Sequence, residues 1–197
     1  MKHLFIAIAV VLFALSVSAQ EEFLFQFKDA KGKYGFKDMM TNKVVIPAQY
    51  DEVGNFMREA NLAWVKKNKK YGFIDNKGKL IVPLIYDFAL DFTNGRALVN
   101  KGRHTTEDPA GYKPGKYGFI DKTGKEVIPL IYTEAEFFNE DRARVGNGEK
   151  VGFIDPSGKE VIPLIYDDAD LHFKEGKVEV TLGEKTFFID KSGKKVK

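Results

Sequence analysis

Residues 116–132 read KYGFIDKTGKEVIPLIY, and close copies recur along the chain. KYGFIDNKGKLIVPLIY stands at 70–86 and KVGFIDPSGKEVIPLIY at 150–166. A looser copy with one additional residue, KYGFKDMMTNKVVIPAQY, occupies 33–50, and a truncated one, KTFFIDKSGKKV, occupies 185–196. Gly35, Gly72, Gly118 and Gly152 fill one slot in the first four copies and Phe187 fills it in the fifth. The period is about 35 residues, the signature of an array of small units that each lean on a neighbour.

Composition within a unit decides between helix and strand. Each copy is made of runs of four to six residues rich in Val, Ile, Phe and Tyr and bounded by Gly, Asn, Asp or Pro; none has helical length and spacing. In the second unit, Leu62 to Lys66 reads as a strand, Asn68 and Lys69 as a tight connection and Tyr71 to Asp75 as the next strand. Asp75 to Gly78 is then a turn, and Lys79 to Val82 a third strand. Asp opening a turn and Gly three residues later suit a type I turn followed by a left-handed residue. Asp121 and Gly124, Asp155 and Gly158, and Asp190 and Gly193 repeat the pair, with Asn42 replacing the glycine in the first copy. Pro47, Pro83, Pro129 and Pro163 are expected to end the third strand, since proline donates no ladder hydrogen bond. Phe56, Phe92, Phe138 and Phe173, in the loops that follow, are expected to form the seam between units. In the strand after each loop, Ala63 and Val65, Ala97 and Val99, Ala143 and Val145, and Val178 and Val180 share one face. Trp64, Leu98, Arg144 and Glu179 alternate with them and are expected to look outward.

The fold expected is therefore all-β: a tandem array of about five three-stranded antiparallel units, over 23–50, 62–86, 96–132, 142–166 and 176–196. An open superhelical array is favoured over a five-bladed propeller-like ring, because the first and last units each hold their own three strands.

The pattern K-Y-G-F-I-D-x-x-G-K-x-V-I-P-x-x-Y-D, followed by F-x-x-G/D-x-A-x-V, resembles the WG repeat of bacterial proteins over essentially all of 23–196. Tyr34, Tyr71 and Tyr117 stand where that family usually has tryptophan, Val151 and Thr186 take the slot in later copies, and Thr133 replaces Asp51, Asp87 and Asp167. The resemblance implies a β-rich array, often exported, and supplies no catalytic residues.

Residues 1–19 are read apart from the fold. Lys2 and His3 lead into an apolar run from Leu4 to Leu15, and Val17 and Ala19 suit a signal peptidase cleft, so cleavage is expected after Ala19. The run is shorter than the roughly 20 residues that span a bilayer. Residues 20–197 then form one domain, exported to the periplasm or the medium, expected to be monomeric and without a membrane span. The chain has no cysteine, which excludes disulfides and thiolate chemistry. Lys and Arg number 31 against 28 Asp and Glu, a near balance with no basic patch of the kind nucleic acid requires.

Catalytic constellations are missing. Ser157 and Ser192 lie inside the repeated turns, and His104 and His172 match no metal-ligand spacing. The recurrent aspartates open turns, so no catalytic residue, metal or cofactor is assigned. Two features stand out from the repeat. Trp64 is the single tryptophan, and the segment between Val99 and Tyr117 carries about a dozen extra residues, a length that suits a binding loop. Candidate binding residues are Trp64, Arg103, His104, Glu107, Asp108 and Tyr112. The expected function is non-catalytic: an exported binding or scaffold module for protein partners, or alternatively a carbohydrate or peptidoglycan-binding module using exposed aromatics.

Overall fold

The computed structural model describes residues 23–57, 60–104 and 113–196, so the leader reading at 1–19 lies outside the described residues. The first sheet is β1 (Leu24–Lys28), β2 (Tyr34–Asp38) and β3 (Val44–Tyr50). The second is β4 (Glu52–Val53), β5 (Leu62–Lys67), β6 (Lys70–Asp75) and β7 (Leu80–Tyr86). The third is β8 (Phe88–Ala89), β9 (Ala97–His104), β10 (Lys113–Ile120) and β11 (Glu126–Tyr132). The fourth is β12 (Glu134–Ala135), β13 (Ala143–Gly146), β14 (Val151–Ile154) and β15 (Glu160–Tyr166). The fifth is β16 (Asp168–Ala169), β17 (Lys177–Leu182), β18 (Lys185–Asp190) and β19 (Lys195–Val196). Strands pair antiparallel in chain order, five separate sheets and no closed barrel among the described residues. Each sheet contains the three strands expected, the described part of the third being two residues long in the fifth, and the last four sheets each add a two-residue lead strand. One residue after each strand-ending tyrosine the chain has already crossed to the next sheet, pairing Val53 with Val65 and Ala89 with Val99.

The prolines do not end the third strand. It continues through Pro83 to Tyr86, and the register slips there, so that Tyr71 faces Tyr86 while Phe73 faces Val82. That bulge lies on an edge strand, where a missing N–H costs no ladder bond. It also explains the invariant slot of the repeat. A Cβ on Gly72 would stand 2.4 Å from the Val82 carbonyl oxygen, and one on Gly152 2.5 Å from that of Ile162. In the fifth sheet the described part of β19 pairs with Phe188 and Ile189, and among the described residues no bulge faces Phe187.

The turns follow the expected chemistry. Asp155 Oδ1 accepts from the backbone N–H groups of Ser157 (2.9 Å) and Lys159 (3.1 Å) and from the Ser157 hydroxyl, while Gly158 takes φ +85°. Asn42 substitutes at φ +56°. The glycine has a second reason: a Cβ at Gly124 would meet Val82 Cγ2 of the preceding sheet at 3.0 Å. Asn42, in the first sheet, has no preceding sheet among the described residues to approach.

Hydroxyl donation holds the Asp38, Asp121, Asp155 and Asp190 carboxyls below the ordinary value of 3.8, and lysine pairing does the same for Asp51 and Asp167. Each binds its proton less readily folded than unfolded, so the stability it confers is full above the unfolded value and drains away as pH falls through the folded one. The expected outcome is a melting temperature flat above about pH 5 that drops steeply below about pH 4, with a shallower drop in Asp155→Asn, measured by circular dichroism.

A second aspartate ties consecutive sheets together. Asp51, between the first and second sheets, pairs with Lys33 and accepts from the N–H of Asn68 in the second sheet's tight turn at 2.8 Å. Asp87 repeats this with Lys70 and the N–H of Gly102, and Asp167 with Lys150 and the N–H of Gly183. Asn68, Gly102 and Gly183 all have positive φ. Gly102 thus marks where the third hairpin would turn. Instead it runs on to Arg103 and His104, paired with Pro114 and Lys113. The extra segment is grafted at the turn, and the clamp beneath it is intact.

Four apolar cores lie between consecutive sheets. Phe36, Ile46 and Tyr50 meet Ala63, Val65 and Ile74; Phe73 and Val82 meet Ala97, Val99 and Ile120. Phe119 and Ile128 meet Ala143, Val145 and Ile154; Phe153 and Ile162 meet Val178, Val180 and Ile189. The loop phenylalanines complete each seam as expected: Phe56, Phe92, Phe138 and Phe173 pack on Phe36, Phe73, Phe119 and Phe153 with ring centroids 4.8–5.0 Å apart.

This stacking overturns one expectation. Trp64, Leu98 and Arg144 do not look outward: Leu98 is 2% exposed, Arg144 8%, and Trp64 is half-buried against the second core. An inner sheet has a neighbour on both faces, so the small Ala and Val face backward and the large residues forward. Arg144 satisfies its charge with Glu134 (2.7 Å) and with Asp168 of the next sheet (3.1 Å). Arg144→Leu, the residue of the third sheet's equivalent slot, is expected to stay within about 1 kcal/mol of the parent in urea unfolding. Glu134→Ala with Asp168→Ala, which strands the guanidinium, should cost about 2 kcal/mol, reduced because both carboxylates reach solvent. At the array's end Glu179 fills the slot, and Phe188, equivalent to the buried Phe73, is 44% exposed. The fifth sheet's forward face is therefore not sealed against the first.

Candidate functional site

The loops after the lead strands build a rim along one side of the array. Gly54, Leu90, Glu136 and Asp170 each donate an N–H to the carbonyl of Trp64, Leu98, Arg144 and Glu179, which fixes the next residues, Asn55, Asp91, Phe137 and Leu171, as equivalents. Side chains continue the row: Gln26 Nε2 donates to Asn55 Oδ1 at 3.3 Å, and Phe137 stacks on His172 with centroids 4.3 Å apart. Glu140 on the same rim accepts from the Gly176 N–H (3.0 Å) and pairs with Lys191 (3.0 Å), which lowers its proton affinity.

At the middle of the rim, loops of three consecutive sheets converge on a pocket of 280 Å³. Met57 comes from the second sheet's loop, Leu90, Asp91 and Thr93 from the third, and Phe137 from the fourth. Burial pushes the Asp91 carboxyl above its ordinary value, with no opposing cation. Six buried side-chain atoms lack a hydrogen-bond partner among the described residues: Asp91 Oδ1, Arg96 Nε, Asn139 Oδ1 and His172 Nδ1 on rim loops, and Asn100 Oδ1 and Arg144 Nε on strands β9 and β13. Native folds leave few such groups, and four of the six lie on the rim loops.

Trp64, singled out in the sequence, does not line this pocket. The Trp64 indole lies over Gly54, whose Cβ, if present, would stand 2.3 Å from the indole Nε1. From Trp64 a column of rings runs through Tyr71 (5.5 Å), Phe88 (6.2 Å) and Tyr117 (6.3 Å) to the foot of the long hairpin. The rings are inclined by 51°, 57° and 73°, two tilted pairs and one edge-to-face pair rather than a flat platform. Arg103 and His104 are the last residues of β9, and Glu107, Asp108 and Tyr112 lie outside the described residues. Ser157 and Ser192 both donate to turn aspartates. Among the described residues no group of three His, Asp or Glu is placed to hold a metal, and no helix is long and apolar enough to cross a membrane. Asp91 and Phe137 escaped sequence reasoning because they occupy a slot whose other occupants are Asn55 and Leu171; only the convergence of three loops gives them a common wall.

Small antiparallel sheets joined by repeated aromatic seams define an all-β repeat protein. The sequence profile of the WG containing repeat family matches residues 34–71, 71–103, 117–150 and 152–185, more than half of the chain, and the protein belongs to that family. Among solved structures the fold is similar to one described as "Crystal structure of the eukaryotic initiation factor", with TM-score 0.56 and 11% sequence identity. The match covers 91% of this chain and 52% of that one, a likeness of fold alone. No curated protein matches the chain.

Proposed function

We propose that this protein is an exported, non-catalytic binding or scaffold module whose rim contacts a protein partner in the periplasm or outside the cell. The observation that carries this reading is the pocketed rim, which holds four of the six buried polar atoms without partners among the described residues. The apolar run at Leu4 to Leu15, followed by Val17 and Ala19, supports export. Serines engaged in turns support a role without catalysis.

Glycan binding is the competing reading. Sugar rings stack on exposed, flat aromatic faces, whereas the half-buried rings from Trp64 to Tyr117 are steeply inclined to one another and form no flat platform. The test is affinity capture from envelope and culture-medium fractions, followed by reconstitution with the purified protein that is captured. A one-to-one complex weakened by substitutions on the rim is the expected result. Binding to purified glycan that Trp64→Ala abolishes, or substrate turnover by a sample that captures nothing, would contradict the proposal.

A further inference from the structure

Asp91 is out of place as a structural residue. The turn aspartates accept two backbone N–H groups each, and Asp51, Asp87 and Asp167 each hold a lysine. Asp91 has neither arrangement: one carboxylate oxygen is buried with no hydrogen bond, and no cation pairs with it among the described residues. A carboxylate in apolar surroundings is costly unless something charged or donating reaches it. The equivalent slots hold Asn55, Phe137 and Leu171, so the repeat does not require an acid there.

The walls narrow what could reach it. Met57, Leu90 and Phe137 offer a thioether, an aliphatic chain and a ring, a lining suited to methylenes. A cavity of 280 Å³ falls just below the roughly 300–1,000 Å³ of sites for drug-sized ligands and has room for one side chain. A divalent cation would want six or more oxygens, and the lining side chains provide only those of Asp91 and Thr93.

We propose that this pocket receives a single basic side chain, lysine or arginine, from a protein partner, with its methylenes against Met57, Leu90 and Phe137 and its cationic head on the Asp91 carboxylate. The inference rests on the protein-binding function proposed above and gives that function its chemistry. The Phe137 ring, which lines the pocket and packs at a tilt against His172, would add attraction to a cation held over its face. The site does not include Trp64, so it predicts recognition by the middle of the rim and not by the indole.

The test uses the ¹⁵N-labelled protein and two small probes of equal length, n-butylammonium and n-butanol. Butylammonium is expected to give saturable shifts confined to the amides of Met57, Leu90, Asp91, Thr93 and Phe137, with butanol weaker by roughly tenfold or more. Asp91→Asn should reduce butylammonium to the butanol level while melting no lower than the parent, because it removes a buried charge without a partner. If that variant fails to fold, the selectivity of the parent between the two probes decides alone. Equal response to both probes, shifts spread over the surface, or undiminished butylammonium binding by a folded Asp91→Asn would overturn the proposal. A protein partner held equally by parent and Asp91→Asn would also overturn it and leave the broader binding function standing. Selective butylammonium binding with no partner captured would support the pocket and count against the broader function.

Discussion

Gly72→Val is expected to destabilise the protein by about 3 kcal/mol or more, because the added Cβ would enter the space held by the backbone of the neighbouring strand. The Val82 carbonyl oxygen would lie 2.4 Å away and the Pro83 carbonyl carbon 2.9 Å. A rotamer change relieves neither contact, since both atoms are backbone. Relief would require straightening the bulge at Pro83, which displaces Tyr86 from the second core and pulls on the Asp87 clamp that follows it. For a chain of this length the loss corresponds to a melting temperature lower by roughly 6–12 °C. The fifth sheet is the control. Phe187 fills the same slot with no bulge opposite it among the described residues, so Phe187→Val should cost only about 1 kcal/mol, from lost contact of a half-buried ring. Equal effects at the two positions would show that the bulge does not select glycine.

Phe73→Ala should cost about 4 kcal/mol, and Phe188→Ala less than about 1, although the two residues occupy one motif position. Phe73 is fully buried and packs against Phe92 at 5.0 Å inside the core shared by the second and third sheets. Phe188 is 44% exposed because no sheet follows the fifth among the described residues. The difference measures what a neighbouring sheet contributes, with side-chain type and strand position held constant. Chemical denaturation of the two variants with matched m-values gives the comparison. A Phe188→Ala loss as large as that of Phe73→Ala would mean that its stabilising contacts lie within its own sheet.

The repeat, its strands, its turns and the seam phenylalanines were legible in the sequence because each is enforced locally and several times over. Asp155 and Gly158 specify a turn wherever they occur, and Phe92 follows Tyr86 at the spacing that Phe138 follows Tyr132. Lead strands such as Ala135 with Glu134 were not legible, since two residues carry no periodicity. Reading Leu98 and Arg144 as outward-facing failed for a different reason. Alternation separates two faces but does not say that either meets water, and in a stack the forward face is as buried as the backward one. The pocket was illegible because Met57, Asp91 and Phe137 lie in three loops brought together only by the stacking of whole sheets.

The family repeat also runs out of step with the sheets. The segment 34–71 contains β2 and β3 of the first sheet, then β4 and β5 of the second. Each repeat therefore completes one sheet and begins the next, and no repeat owns a sheet of its own. Cohesion follows from this overlap as well as from the buried seams, and both link sheets that would be marginal alone.

Differential scanning calorimetry of the intact protein tests that cohesion most directly. One transition, with a van't Hoff enthalpy equal to the calorimetric enthalpy, is the predicted result, and Phe73→Ala should lower its midpoint without splitting it. Two or more resolved transitions, or a calorimetric enthalpy well above the van't Hoff value, would show sheets melting independently and would contradict the shared cores as the source of stability.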